Sequence, residues 1–271
     1  MTVKNILTVI IYLLMPGIAA SAAALSTEEV SSLFNQANDA FRQANAATGR
    51  PEQAKSLYEN AILLYEKIIA DAQIHNPGLY YNLANAYLLK GSLGKAVLNY
   101  RRAEKLDAAD ENIRKNLAFA RSRKIDQIKS KTQEQVLKTL FFWHYDFSIK
   151  TKFLLGCIFF AITCISLTAL IWLGRNVAIT TIAVLTGILM VCFLASVVVD
   201  AKRQADTICG VITVPEVTAR QGDGLNYPAA FKSPLHEGTE FDLLEQRPAW
   251  LHIKLTDDSQ GWIPSSSAEL I

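Results

Sequence analysis

The pattern of apolar and polar positions changes character three times along this chain. From Thr27 to about Lys124 apolar residues return every three or four positions, and Gly and Pro fall almost only at punctuation points (Gly49, Pro51, Pro77, Gly78, Gly91, Gly94). That rhythm predicts a succession of amphipathic helices. It then gives way to two apolar runs, Phe153–Leu173 and Val177–Val199, of 21 and 23 residues, separated by Gly174, Arg175 and Asn176. About 20 such residues cross a bilayer as a helix, so a two-pass transmembrane hairpin is expected. Neither run contains Asp, Glu, Lys, Arg or His, whereas ion pathways and proton relays require such residues, so the hairpin is read as an anchor. From about Cys209 the pattern shortens again to VITV, VTAR, TEFDLLEQ, WLHIKL and GWIP. Short strands this closely spaced predict a small barrel.

The first residues add an export signal: Lys4, an apolar stretch from Ile6 to Met15, a Pro-Gly break and Ala-x-Ala in that order predict a signal peptide over residues 1–24. The expected parts are therefore a signal peptide (1–24), a helical domain (25–128), a juxtamembrane linker (129–152), spans at 153–173 and 177–199, a linker (200–208) and a β domain (209–271). An export signal followed by two spans puts both soluble arms on the extracytoplasmic side. The basic residues flanking the spans run against the positive-inside tendency, but translocation of the large arm begins before the hairpin is made. Phe141, Phe142, Trp143 and Tyr145, just ahead of the first span, suit an interfacial aromatic belt.

Composition sharpens this picture. The chain of 271 residues is 51% hydrophobic and 19% charged, with a mean hydropathy of +0.18 and a net charge of only +2. The charges are split: residues 26–152 hold 19 Lys and Arg against 14 Asp and Glu, and residues 204–271 hold 4 against 10. The two soluble arms carry opposite sign. Base is not concentrated with aromatic or groove-reading residues, so no nucleic-acid partner is expected. Cys157, Cys164, Cys192 and Cys209 form no CxxC pair, and His75, His144, His236 and His252 show no HxH or HxxxH spacing. No disulfide framework, metal site or cofactor is expected.

Pro77–Asp110, PGLYYNLANAYLLKGSLGKAVLNYRRAEKLDAAD, resembles the 34-residue tetratricopeptide (TPR) repeat. Tyr80, Leu83, Ala84 and Tyr87 take the core positions of its first helix, Gly91 the turn, and Ala96, Tyr100 and Ala103 the core of its second. The upstream helices look like a longer pair, with Ala61 and Tyr65 at the Ala96 and Tyr100 positions. DENIRKNLAFARSRKIDQI supplies a last helix whose basic face is read as a solvated cap. Asn82 and Asn116 lie one repeat length apart. With Tyr81, Asn85 and Asn112 they define a protein-binding groove in which amides, donor and acceptor at once, take an extended partner segment.

The C-terminal residues resemble the bacterial SH3 (SH3b) family: Val217-Thr-Ala-Arg220 with Gly222, Leu235-His-Glu-Gly-Thr239, Trp250 and Gly261-Trp-Ile-Pro264. Gly238, Trp250, Gly261 and Trp262 are read as structural there, and Tyr227, on a Gly-rich loop, as the candidate ligand contact. The order of parts is similar to the BatE-type TPR proteins of bacterial aerotolerance operons. That resemblance implies a role in the inner (cytoplasmic) membrane and periplasm, beside von Willebrand A-type Bat proteins. The fold class expected is multidomain: an all-α TPR array, a transmembrane hairpin and a small all-β SH3-like barrel. With no Gly-rich phosphate loop, no GxSxG and no Cys/His pairing on one soluble domain, the chain reads as a scaffold for envelope proteins rather than an enzyme. Peptidoglycan binding through the SH3b domain is the alternative.

Overall fold

A computed structural model describes residues 25–47, 49–128 and 139–271; the signal-peptide reading and residues 129–138 of the juxtamembrane linker fall outside them. The described part is mostly helical, with eight α-helices, a small antiparallel sheet and two long apolar helices. The chain divides into two units, one ending at His75 and one running from Asn76 to Ile271.

The first unit is a helical pair, α1 (Thr27–Ala46) and α2 (Pro51–Ala72). Ser26 and Glu29 cap α1 reciprocally, the Ser26 side chain accepting from the Glu29 amide and the Glu29 carboxylate from the Ser26 amide, which satisfies two otherwise orphaned donors. Small Ala37, Ala40, Ala44 and Ala61 are buried between the helices and let them approach closely, while Tyr58, Tyr65 and Ile68 fill the remaining core.

The second unit opens with α3 (Pro77–Lys90), α4 (Leu93–Leu106) and α5 (Glu111–Ser122). Asn76 caps α3 through its side-chain oxygen, Pro77 fixes the first helical φ, and Gly91 ends the helix at φ +96°, a conformation that only glycine adopts without penalty. Tyr80, Leu83, Ala84 and Tyr87 of α3, and Ala96, Tyr100 and Ala103 of α4, are all buried. Ile113, Leu117 and Ala120 seat α5 against this pair.

After the short α6 (Phe142–Asp146) come α7 (Ile149–Leu173) and α8 (Val177–Asp206). Stretches of 25 and 26 residues in these helices, with mean hydropathy 2.5 and 2.8, are long and apolar enough to cross a membrane. Their contacts run in opposite order, Lys152 to Asp200, Gly156 to Leu194 and Thr163 to Thr186, which makes the pair antiparallel. Both helices outrun the apolar stretches. α7 begins at Ile149, capped by Ser148, and α8 continues to Asp206 through most of the expected 200–208 linker, because backbone hydrogen bonding is indifferent to where the apolar side chains end.

The rest is β structure: β1 (Cys209–Ile212), β2 (Glu216–Val217), β3 (Leu235–His236), β4 (Glu240–Gln246), β5 (Trp250–Lys254), β6 (Gln260–Pro264) and β7 (Ala268–Leu270). Five strands form one antiparallel sheet in the order β6-β5-β4-β1-β7, and β2 and β3 pair separately. Of the expected small barrel the described strands show an antiparallel sheet, and no ladder among them joins β7 back to β6 to close it. Alternation along β5 buries Leu251 and Ile253 and leaves Trp250, His252 and Lys254 half-buried, as a pleated strand with one core face requires. Ile212, Leu235, Phe241, Leu251, Ile253 and Ile263 center the core.

Candidate functional site

The residues read as a groove lie on α3 and α5, and hydrogen bonds tie some of them together. Tyr100 of α4 is fully buried, and its hydroxyl donates to the Asn85 side-chain oxygen at 2.5 Å. Asn116 of α5 donates to that same oxygen and to the Tyr81 hydroxyl, each at 3.0 Å. Burial pushes the Tyr100 phenol well above its ordinary pKa, so it stays a donor. Asn85, Asn116 and Tyr81 therefore hold three helices in register, and their polar groups are largely committed inward. Asn82, half-buried on α3, and Asn112, exposed on α5, differ: among the described residues no hydrogen bond reaches either side chain. The first unit uses the same pairing, with Tyr58 donating to Asn45 and Tyr65 to Asn38, each at 2.6 Å. Tyr65 and Tyr100 were legible as core; their pairing with asparagines was missed, although a buried phenol usually finds an acceptor.

The basic face of α5 is only in part the solvated cap that its sequence predicts: Arg114, Lys115 and Arg123 are exposed, while Arg121 is half-buried. Arg121 makes a two-pronged contact with Glu240 of β4, Nε to Oε1 at 2.8 Å and Nη2 to Oε2 at 2.6 Å. Arg101 and Lys124 approach the same carboxylate at 3.3 and 3.5 Å. Burial alone would raise the Glu240 pKa, but the Arg121 hydrogen bonds and the three positive charges outweigh it, and the group sits below its ordinary value. Just past α5, Asp126 accepts from the His236 amide at 2.6 Å and the Thr239 hydroxyl at 2.6 Å, and pairs with the His236 ring at 2.9 Å. Those hydrogen bonds likewise overcome burial and lower its pKa. Lys95 and Arg102 of α4 pair with Glu269 of β7, and the Gly94 amide donates to Glu237 at 2.9 Å. The opposite charges of the two arms were visible in the sequence; that they meet was not.

On the sheet, Trp262 is only 8% exposed: His252 stacks on it at 4.7 Å and the Arg247 guanidinium lies over its ring at 4.5 Å. Trp250, read as structural, is half-buried rather than a core residue. Gly238 has φ +83°, and a side chain at Gly261 would meet Ala230, Ala219 and Phe231 within 3.3 Å. Tyr227 is 49% exposed. It is held all the same, for a Cβ at Gly222 would lie 2.7 Å from its ring and Arg220 donates to its carbonyl at 2.8 Å. Arg247 also pairs with Asp223, which ties the Tyr227 loop to the β4–β5 turn.

At the soluble end of the hairpin, Lys152 is 1% exposed and bonds both Asp200 and the His144 carbonyl. The His144 ring meets the Ser196 hydroxyl at 2.7 Å and faces Asp200 at 3.7 Å. A cleft of about 610 Å³ is lined by His144, Lys152 and Asp200 together with Arg101, Cys209 and Lys254. Ser196 does not line it, and the Ser–His contact joins α6 to α8. Burial, then the neighboring Asp242 carboxylate, raises the Cys209 thiol pKa, which keeps it protonated and a poor nucleophile.

No protein-family model and no curated protein matches the chain. The functional reading therefore rests on these residues alone.

Proposed function

We propose that the protein is a membrane-anchored scaffold of the BatE-like kind, in which a TPR-type helical arm and an SH3-like sheet stand on a two-pass hairpin on the extracytoplasmic side of the inner membrane. The helical arm binds an extended segment of an envelope protein, with von Willebrand A-type Bat proteins as the partners that the resemblance implies. The observation that supports this most is the contrast among the asparagines. Asn85 and Asn116 are locked to Tyr81 and Tyr100, while Asn82 and Asn112 carry side chains with no hydrogen bond from the described residues. A braced frame with outward amides suits binding a backbone, since each amide both donates and accepts and little order is lost on binding.

The test places a photo-crosslinking residue at Tyr81 in the full chain within native envelopes. We expect a discrete crosslinked envelope protein that disappears in the Asn82→Ala, Asn112→Ala variant while its helical content and thermal transition stay unchanged. Crosslinking at full yield in that folded variant defeats the groove reading. Alkaline-phosphatase fusions after residues 140 and 271 are expected to be active; inactivity at both points reverses the topology.

A second reading, cell-wall binding through the sheet, is favored by one observation, the half-exposed and braced ring of Tyr227. Sedimentation with purified peptidoglycan, lost in Tyr227→Ala and kept in the asparagine variant, would favor it over the first.

A further inference from the structure

We infer that the acidic sheet is a positioning clasp for α5, so that the groove is held in its binding-competent shape by residues of the C-terminal arm. The consequence for binding rests on the groove reading; the clasp itself does not.

Little else holds α5. It has 12 residues, and its described anchors in the core are Ile113, Leu117 and Ala120. A helix this short has marginal intrinsic stability. Its N-terminal half carries Asn112 and Asn116, and Asn116 reaches Asn85 and Tyr81 at 3.0 Å only while α5 keeps its place beside α3. Its C-terminal end is seated in the sheet. Arg121 forks onto Glu240, Lys124 approaches the same carboxylate, Asp126 takes three bonds from His236 and Thr239, and Ile128 packs against the sheet core. One short helix thus has its first half in the groove and its last turn in the clasp, with Asn116 and Arg121 about 8 Å apart along the axis at 1.5 Å per residue. A pin at one end of a rigid rod constrains the other.

The chemistry of the clasp also fits a positioning device. Arg121 and Glu240 meet in the bidentate geometry that fixes orientation as well as distance, and Asp126 accepts from a backbone amide, which ties α5 to the path of the sheet's main chain rather than to a mobile side chain. Burial makes an unpaired partner costly, so loss of either carboxylate is felt along the helix.

Hydrogen exchange of the full chain in nanodiscs, with no partner added, tests this. In Glu240→Gln and, from the helical side, in Asp126→Asn, the amides of residues 113–122 are expected to exchange about tenfold faster, while β4 and β5 keep wild-type protection. The Arg121→Gln, Glu240→Gln double variant should be no looser in α5 than Glu240→Gln alone, because loss of the carboxylate already removes the Arg121 contact together with those of Arg101 and Lys124. Unchanged α5 protection in both carboxylate variants overturns the inference. So does faster exchange of the whole sheet in both, which would mean general destabilization. Crosslinking at Tyr81 then separates the two readings: loss in Asn82→Ala, Asn112→Ala with full retention in Glu240→Gln leaves the groove standing and sinks the coupling.

Discussion

Gly94→Ala is the perturbation in which the two arms pull in opposite directions. Gly94 lies in the first turn of α4, and an ideal Cβ there would stand 2.6 Å from the Ile212 carbonyl oxygen, 2.9 Å from the Thr213 Cα and 3.1 Å from the Glu237 Cβ. The first two are backbone atoms, so no rotamer change relieves the clash. Within the helix alone, alanine is the better residue by up to about 1 kcal/mol. At the junction, forcing in a methyl group costs about 1–3 kcal/mol. Separation also gives up the hydrogen bond from the Gly94 amide to the Glu237 carboxylate, a charged partner at a helix N-terminus, for about 1.5–3 kcal/mol. The helical arm should therefore hold or gain stability while the sheet undocks. Zero-length carbodiimide coupling of the full chain reads this directly: the Lys95–Glu269 product should fall sharply, while the product of Lys115 with Glu111, 2.9 Å apart within α5, stays constant. A Lys95–Glu269 yield equal to wild type refutes the reasoning, since it would mean that β1 yields to a methyl group without cost.

Tyr100→Phe removes one donor from the Asn85 oxygen but leaves the Asn116 donor in place, so thermal unfolding should show a loss of about 1–2 kcal/mol, not collapse of the helical arm. Docking of the sheet should weaken in acid: Glu240 and Asp126 have pKa values depressed below their ordinary 4.5 and 3.8, so their contribution is complete above those values and is lost as pH falls through the lowered ones. Resonance energy transfer between labels on the two arms should stay constant from pH 7 to about pH 5 and fall only below about pH 4; a transition centered near neutrality would place the control elsewhere.

The parts of this fold written in local pattern were legible. The resemblance to the 34-residue repeat pattern marked Ala84, Ala96, Tyr100 and Ala103 as core, and all four are buried; unbroken apolar runs located the two long apolar helices. Period-two alternation located strands such as Trp250–Lys254, but it carries no information about closure, and no ladder among the described strands closes the expected barrel. Among site residues, spacing grouped Asn82, Asn85, Asn112 and Asn116 without separating those that brace from those that face outward. That distinction depends on Tyr100 and Tyr81, whose hydroxyls find their partners only after α3, α4 and α5 have packed. The least legible feature was Glu240. Its partners are 116 to 139 residues earlier in the chain, and a lone Glu opening a strand has no local signature.

The hairpin explains why a few ion pairs suffice to join arms so distant in sequence. α7 and α8 are antiparallel, so residues 152 and 200 meet at one end, and if both helices cross a bilayer the two arms emerge on the same side whichever side that is. Only Thr207 and Ile208 separate the end of α8 from β1, and the Ile208 carbonyl already accepts the Leu243 amide at 2.8 Å, so the sheet begins where the long apolar helix stops. A tether this short keeps the acidic sheet at the end of α8. Contacts such as Lys95 with Glu269, which are individually weak because both side chains remain about one-third exposed, then need supply only orientation. The opposite charges of the two arms are thus one complementary interface written in two places along the chain, with the apolar helical hairpin between them.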